Sequence, residues 1–221
     1  MTILIGRNHR REVLMQALRE RVSYKPSVFR QYFDGAQTIF IHIPKCAGTS
    51  ISSAVYGSNP WHWTASDLHR INRKKYQQYF KFSIVRNPWD RLYSAFVYAE
   101  KDVRKYSRSP LSMISNYSSF EHFVMEGITK EIADRHYFLG KQVNYLLLPS
   151  GEIDRDIVVG KLENLAQFIG DLSERLPALS SVGRKNVSTR HQSLKEAYTP
   201  EMVEHVRKLY RRDVDYFGYD F

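Results

Sequence analysis

The sequence predicts a three-layer α/β protein, with a central parallel sheet flanked by helices, and three observations carry that reading. Three apolar runs, TIFIHI at 38–43, FKFSIVR at 80–86 and DIVVGKL at 156–162, are rich in β-branched or aromatic residues and short enough for strands. Each is followed at once by a turn and a helical pattern. Strands that alternate with helices pair in parallel, because the chain must cross back over the sheet between them. In such sheets the functional loops gather at the carboxyl ends of the strands.

Taken in chain order, residues 9–22 place Val13, Leu14, Ala17, Leu18 and Val22 at helical spacing between Arg and Glu, which predicts an amphipathic helix packed on the core by its apolar face. The strand at 38–43 runs into a helix that starts near Thr49 or Ser50 and ends near Tyr56, where Gly57 and Pro60 break it. After the second strand, Asn87 is placed to cap a helix, Pro88 suits its first position, and Asp90 favours its positive end. The third strand leads into the helical pattern ENLAQFIGDLSERL. Residues 120–147 read as helical, 180–193 as a basic polar loop, and 200–214 as a helix before the aromatic end DYFGYDF. With no internal repeat and no linker composition, the reading is one domain over 1–221, comprising a helical extension at 1–36 and a core at 38–221.

A hydrophobic content of 43% fits a globular chain, and a formal net charge of +10 gives a positive field suited to nucleotides, nucleic acid, anionic glycans or acidic membrane surfaces. The single cysteine, Cys46, excludes an intrachain disulfide framework. No apolar run reaches the roughly 20 residues of a membrane span. The N-terminal apolar stretch is too short for a signal-peptide core. The expected location is cytoplasmic, or the Golgi lumen or membrane if this is a catalytic domain trimmed of an anchor. No helix-turn-helix, zinc-ligand or RNA-binding signature is present, so nucleic acid is not an expected partner.

The loop IPKCAGTS at 43–50 carries the ingredients of a phosphate cradle in an unusual order. Aligned on a G-x-x-x-x-G-K-[ST] nucleotide loop, Thr49 falls where the lysine belongs and Ile43 where the first glycine belongs. Lys45 instead lies inside the loop, Gly48 permits close backbone approach, and Thr49 and Ser50 bring hydroxyls to a helix start. This set suits one terminal phosphate or a sulfonate next to one, without magnesium, with Lys45 stabilising charge on the leaving oxygen. In the second loop, Arg86 ends a strand and Ser94 follows eight residues later, a guanidinium and a hydroxyl for a separate phosphate. Two phosphate sites on adjacent turns point to a nucleotide phosphorylated at both ends of its ribose.

IPKCAGTS resembles the 5′-phosphosulfate loop of sulfotransferases, and VRNPWDRLYSAF is similar to their 3′-phosphate motif. The resemblance is nearest to the carbohydrate branch and extends through HWTASDLHRI, VVGKLENL and the C-terminal YTPEMVEHVRKLYRRDVDYFGYDF. It implies a P-loop-NTPase-like fold and transfer of a sulfuryl group from 3′-phosphoadenosine 5′-phosphosulfate, the donor substrate, to a hydroxyl of a glycan or similar acceptor. Carried over by position, Lys45, Gly48, Thr49 and Ser50 would bind the 5′-phosphosulfate, with Lys45 also assisting the leaving group. Ala47 stands where many members have glycine and still leaves room for phosphate. Arg86 and Ser94 would bind the 3′-phosphate, and Arg184 and Lys185 would add contacts.

The acceptor hydroxyl needs a base, and the candidates are His62, between Trp61 and Trp63, and His136, in ADRHYFLGKQVNYL. Trp61 and Trp63 are also candidates for stacking on sugar rings. His42, alternating within a strand, reads as a core residue, Asp90 as a helix-end acid, Arg91 as a surface residue and Glu163 as a helix-start acid. Cys46 lacks the surroundings of a catalytic cysteine. Two other functions compete: a small-molecule kinase, which would need ATP and magnesium, and a basic protein that binds polyanions through charge alone.

Overall fold

The computed structural model describes residues 9–22, 26–103, 111–182 and 194–221. Arg184 and Lys185 lie outside the described residues. Helix α1 (His9–Arg21) is followed by a short π-helix at Phe29–Phe33 whose two phenylalanines are buried. Strand β1 (Thr38–Ile41) then leads to α2 (Gly48–Tyr56), α3 (Ala65–Ile71), α4 (Arg73–Gln78) and strand β2 (Phe80–Val85). Helix α5 (Pro88–Val103) follows, then α6 (Phe120–His122), α7 (Lys130–Arg135) and strand β3 (Ile157–Lys161). The remaining helices are α8 (Leu165–Leu172), α9 (Leu194–Ala197), α10 (Pro200–Leu209) and α11 (Arg211–Phe217).

The three strands form one parallel sheet in the order β1-β2-β3, flanked by helices. All four β1 residues are buried, as are five of the six in β2, and the polar residues among them are satisfied internally: Ser83 Oγ donates to Ile41 O at 2.8 Å and Lys81 Nζ to Tyr76 O at 3.2 Å. The edge of β1 is blunted from within: the Tyr56 hydroxyl accepts from Phe40 N at 2.8 Å and donates to Thr38 O at 3.0 Å, satisfying edge groups that would otherwise template another strand. Register brings the loops together. Ile41 pairs with Ser83, and Val85 with Lys161, so the turns after β1, β2 and β3 leave from one edge of the sheet.

Three expectations change. Residues 120–147 are not one helix: α6 passes into a π-helix at Phe123–Gly127, α7 starts afresh with Thr129 capping it, and a 3-10 turn covers Gln142–Leu146. The closing helix breaks at Tyr210, so that α10 and α11 are separate. Helix α1 follows its predicted packing only in part, since Val13 packs on the core and Ala17 is half-buried. Its apolar residues Leu14, Met15, Leu18 and Val22 face solvent, and Gln16 is the buried one. Helices α3 and α4 are additions to the sequence reading; a capping box between Thr64 and Asp67 starts one, and Asn72 caps the other.

Candidate active site

The turn after β1 is shaped by its backbone. Lys45 (φ 67°) and Ala47 (φ 58°) both occupy the left-handed region that favours glycine. A left-handed residue followed directly by a helical one turns successive amides toward one point, an anion-binding concavity. Ala47 caps α2 with no side-chain hydrogen bond, so no cap oxygen fills the positive helix end. Thr49 is exposed and Ser50 half-buried in the first turn of that helix. Gly48 has a sharper reason than phosphate approach: a Cβ there would sit 1.9 Å from Cδ2 of the buried His42 ring. The Lys45 ammonium stands over Tyr98 of α5, 4.0 Å from the ring centroid, a cation–π contact.

Side chains shape the turn after β2. Asn87 Oδ1 accepts from Trp89 N at 3.1 Å and Asp90 N at 3.3 Å, the cap that the sequence predicts. Asn87 Nδ2 donates to Asp220 O at 2.7 Å. Glu163 accepts from Asn87 N at 2.7 Å and from the Tyr219 hydroxyl at 3.1 Å, so this acid ties the turn to the C-terminal segment. Arg86 Nε donates to Asp90 Oδ2 at 2.7 Å, and its Nη1 donates to Lys45 O at 3.1 Å. That second bond joins the two turns. Ser94 lies about two helical turns further on, half-buried in α5.

Beneath both turns is a buried polar scaffold that sequence reasoning missed. Arg91, read as a surface residue, is buried and donates to Pro44 O at 3.0 Å, Gly140 O at 2.9 Å and Phe138 O at 2.9 Å. Its partners are all backbone carbonyls, so no side-chain pairing in the sequence reveals it. Gln142 accepts from Arg86 N at 2.9 Å and donates to Arg86 O at 2.7 Å, while Asp213 accepts from Gln142 N at 2.7 Å and Val143 N at 2.9 Å. Burial raises the Asp213 carboxyl above its ordinary range, against the pull of those amide bonds. Cys46 donates to Gln142 Oε1 at 3.3 Å, and burial pushes its thiol up to about 11, the opposite of an activated nucleophile.

The two candidate bases differ in tautomer. His62 Nδ1 lies 2.8 Å from His42 O. A carbonyl only accepts, so the proton sits on Nδ1 and the Nε2 lone pair is left to accept. His136 Nδ1 accepts from Phe138 N and Leu139 N, both at 3.2 Å, which puts the proton of the neutral ring on Nε2. Burial lowers the His62 pKa, with the His42 carbonyl opposing and Arg91 adding to the fall. His42, whose ring centroid is 4.1 Å from that of His62, is lowered to about 3 by burial first and by His62 second.

An aromatic wall links His62 and Lys45. The His62 ring meets Phe138 edge-on at 6.5 Å, Phe138 stacks on Tyr98 at 6.0 Å, and Tyr98 carries Lys45. Beside it the exposed Trp61 stacks on Tyr137 at 6.4 Å. Trp63, expected to share the stacking role with Trp61, is instead buried, its ring 6.1 Å from that of His9. Lys45, Arg86 and His62 are thus connected through direct contacts and one run of rings.

A family model described as "Sulfotransferase family" matches residues 32–220, most of the chain. No curated protein and no solved structure matches it.

Proposed function

The chain belongs to the sulfotransferase family, and from that premise we propose that it transfers a sulfuryl group from 3′-phosphoadenosine 5′-phosphosulfate to a hydroxyl of a glycan or similar acceptor, on a P-loop-like α/β scaffold. The observation that carries this reading is the bond from Nη1 of the buried Arg86 to Lys45 O at 3.1 Å, because it ties the two phosphate-suited turns to each other. The residues present fit a bisphosphorylated nucleotide: the left-handed pair Lys45 and Ala47 with Gly48, Thr49 and Ser50 suits the phosphosulfate end, and Arg86 with Ser94 suits the 3′-phosphate. Arg184 and Lys185, outside the described residues, are further candidate contacts. When bound, the donor supplies the sulfuryl group and a bisphosphate leaving group.

The protein's own part is positioning and charge. Lys45, held over Tyr98, places an ammonium where negative charge develops on the leaving oxygen, which accelerates transfer more than uniform binding would. His62 takes the acceptor proton at Nε2, the nitrogen left unprotonated by its bond to His42 O. His136, with its Nε2 protonated, serves as a hydrogen-bond donor on the same segment. Trp61 and Tyr137 offer stacked faces to a sugar ring. This mechanism requires no metal. The single cysteine accords with a cytoplasmic location.

Thermal melting with 3′-phosphoadenosine 5′-phosphate, and with ATP and magnesium, tests the donor assignment. The bisphosphate is expected to raise the melting temperature in the presence of a chelator, since a ligand of the native state adds stability. A shift with ATP and magnesium alone would overturn the reading in favour of a kinase. Transfer of radiolabelled sulfate to a glycan array then identifies the acceptor, and its pH profile should show an acid limb below the ordinary histidine value of 6.5, given the direction in which His62 is shifted.

A further inference from the structure

We propose that the outward face of α1 docks the protein on an anionic lipid surface. An amphipathic helix on a globular protein ordinarily turns its apolar stripe to the core. Helix α1 turns only Val13 and the half-buried Ala17 inward and leaves Leu14, Met15, Leu18 and Val22 outside, and it is polar residues that fasten it to the body. Gln16, 8% exposed, accepts from Val28 N at 2.8 Å. Glu20 accepts from Asn72 Nδ2 at 2.7 Å and pairs with Lys75 at 3.2 Å, while His9 Nε2 meets Asp67 at 3.0 Å. Arg30 secures the far end by donating to the carbonyls of Arg19, Glu20 and Val22.

On the outer side, Leu14 is 60% exposed, Met15 38%, Leu18 45% and Val22 56%. Leu14, Leu18 and Val22 recur every four residues and form one ridge, with Met15 beside it. Arginines surround it. Arg10 lies four residues before Leu14, Arg21 three after Leu18, and Arg11 and Arg19 bracket Met15 at four residues on either side. Of the acids, Glu20 is turned to the body, and the exposed Glu12 accepts from Gln16 Nε2 at 2.8 Å and pairs with Arg19 at 3.8 Å, so the outward cations of α1 are Arg10, Arg11 and Arg21. Helices α3 and α4, against which α1 rests, add the exposed cations Arg70, Arg73 and Lys74.

The charge pattern selects the occupant. A second copy related by two-fold symmetry would bring arginines against arginines. A soluble polyanion would engage the guanidinium groups and leave four exposed apolar side chains unrewarded. A bilayer rich in acidic lipid satisfies both, with headgroups at the arginines and the leucines at the acyl boundary. The apolar ridge is short, so attachment is shallow, reversible and sensitive to salt.

Co-sedimentation of the full chain with vesicles of phosphatidylcholine alone, or with roughly a third phosphatidylserine, tests this. The expected result is binding to the acidic vesicles about tenfold stronger than to the neutral ones, lost as salt is raised. A Leu14→Ser/Leu18→Ser variant and, separately, an Arg10→Glu/Arg11→Glu variant should each weaken it by about tenfold while circular dichroism and melting stay unchanged. Absence of binding, equal binding to neutral vesicles, or undiminished binding by the leucine variant would overturn the proposal. So would light scattering that shows a dimer dissolved by the leucine variant without any vesicle binding. None of these outcomes depends on sulfuryl transfer.

Discussion

The turns that follow β1 and β2 are held in opposite ways. The first is a backbone device: two left-handed residues, a cap with no side-chain bond, and a glycine fitted to an imidazole. The second is a side-chain device, in which Asn87, Asp90, Glu163 and Gln142 fix the chain around Arg86. A turn built from backbone leaves its amide dipoles directed at one point, which suits a group that changes charge during reaction. A turn built from side chains fixes a guanidinium in place and suits a group that only has to be held.

The largest effect should follow from removing the charge carried by the first turn. Lys45→Ala is expected to lower kcat/KM by about a thousandfold, roughly 4 kcal/mol of transition-state stabilisation, while the bisphosphate nucleotide still raises the melting temperature. Single-turnover assays and melting on the same sample check it, and wild-type turnover would remove Lys45 from the mechanism. Next comes the element common to both turns. Arg91→Met leaves the carbonyls of Pro44, Phe138 and Gly140 without their donor and should cost about 3 kcal/mol or more of stability. Denaturant unfolding measures it, and a loss under about 1 kcal/mol would mean that water replaces the guanidinium.

Legibility in the sequence divides along the same line. The strands were readable to within two residues because each is short, rich in β-branched or aromatic residues and followed by a turn, and the start of α5 because Asn87, Pro88 and Asp90 are local signals. Lys45 and Arg86 stand out as candidates in the sequence because each lies in a turn between a strand and a helix. The scaffold was not. Arg91 binds only carbonyls, and Asp213 binds amides of residues some 70 positions away, so nothing local marks either of them. The outward placement of Leu14, Leu18 and Val22 in α1 was unreadable for a related reason. Periodicity defines a stripe, but which side is buried depends on what the body offers, and here it offers the Val28 amide, Asn72 and Lys75.

A smaller effect separates the turns by pH. His42 packs on the first turn with its pKa lowered from 6.5 to about 3, so between those values the unfolded chain binds a proton that the folded one refuses. Stability therefore is complete above pH 6.5 and is lost as pH falls through that window, by at most about 1.4 kcal/mol per pH unit. His42→Phe should flatten the slope of unfolding free energy between pH 6 and pH 5 by up to about 1 kcal/mol per unit, read from denaturant titrations at each pH. An unchanged slope would show that the ring takes up its proton at the same pH folded and unfolded.

The smallest effect is also the most direct test of the contrast, because one substitution should act with opposite sign in the two turns. Ala47 holds φ 58°, ψ 16° at a cost that glycine escapes, about 1 kcal/mol or somewhat more. The added freedom of glycine in the unfolded chain returns part of that, so Ala47→Gly should stabilise by under about 1 kcal/mol. Asn87→Gly removes the oxygen that accepts from Trp89 N and Asp90 N, a loss of roughly a few tenths of a kcal/mol at a cap, and the exposed amide bond to Asp220 O, and should destabilise by about 1 kcal/mol or less in all. Urea midpoints for the two variants decide the matter. A backbone-built turn improves with glycine and a side-chain-built turn deteriorates, so a shift of the same sign in both would erase the distinction between them.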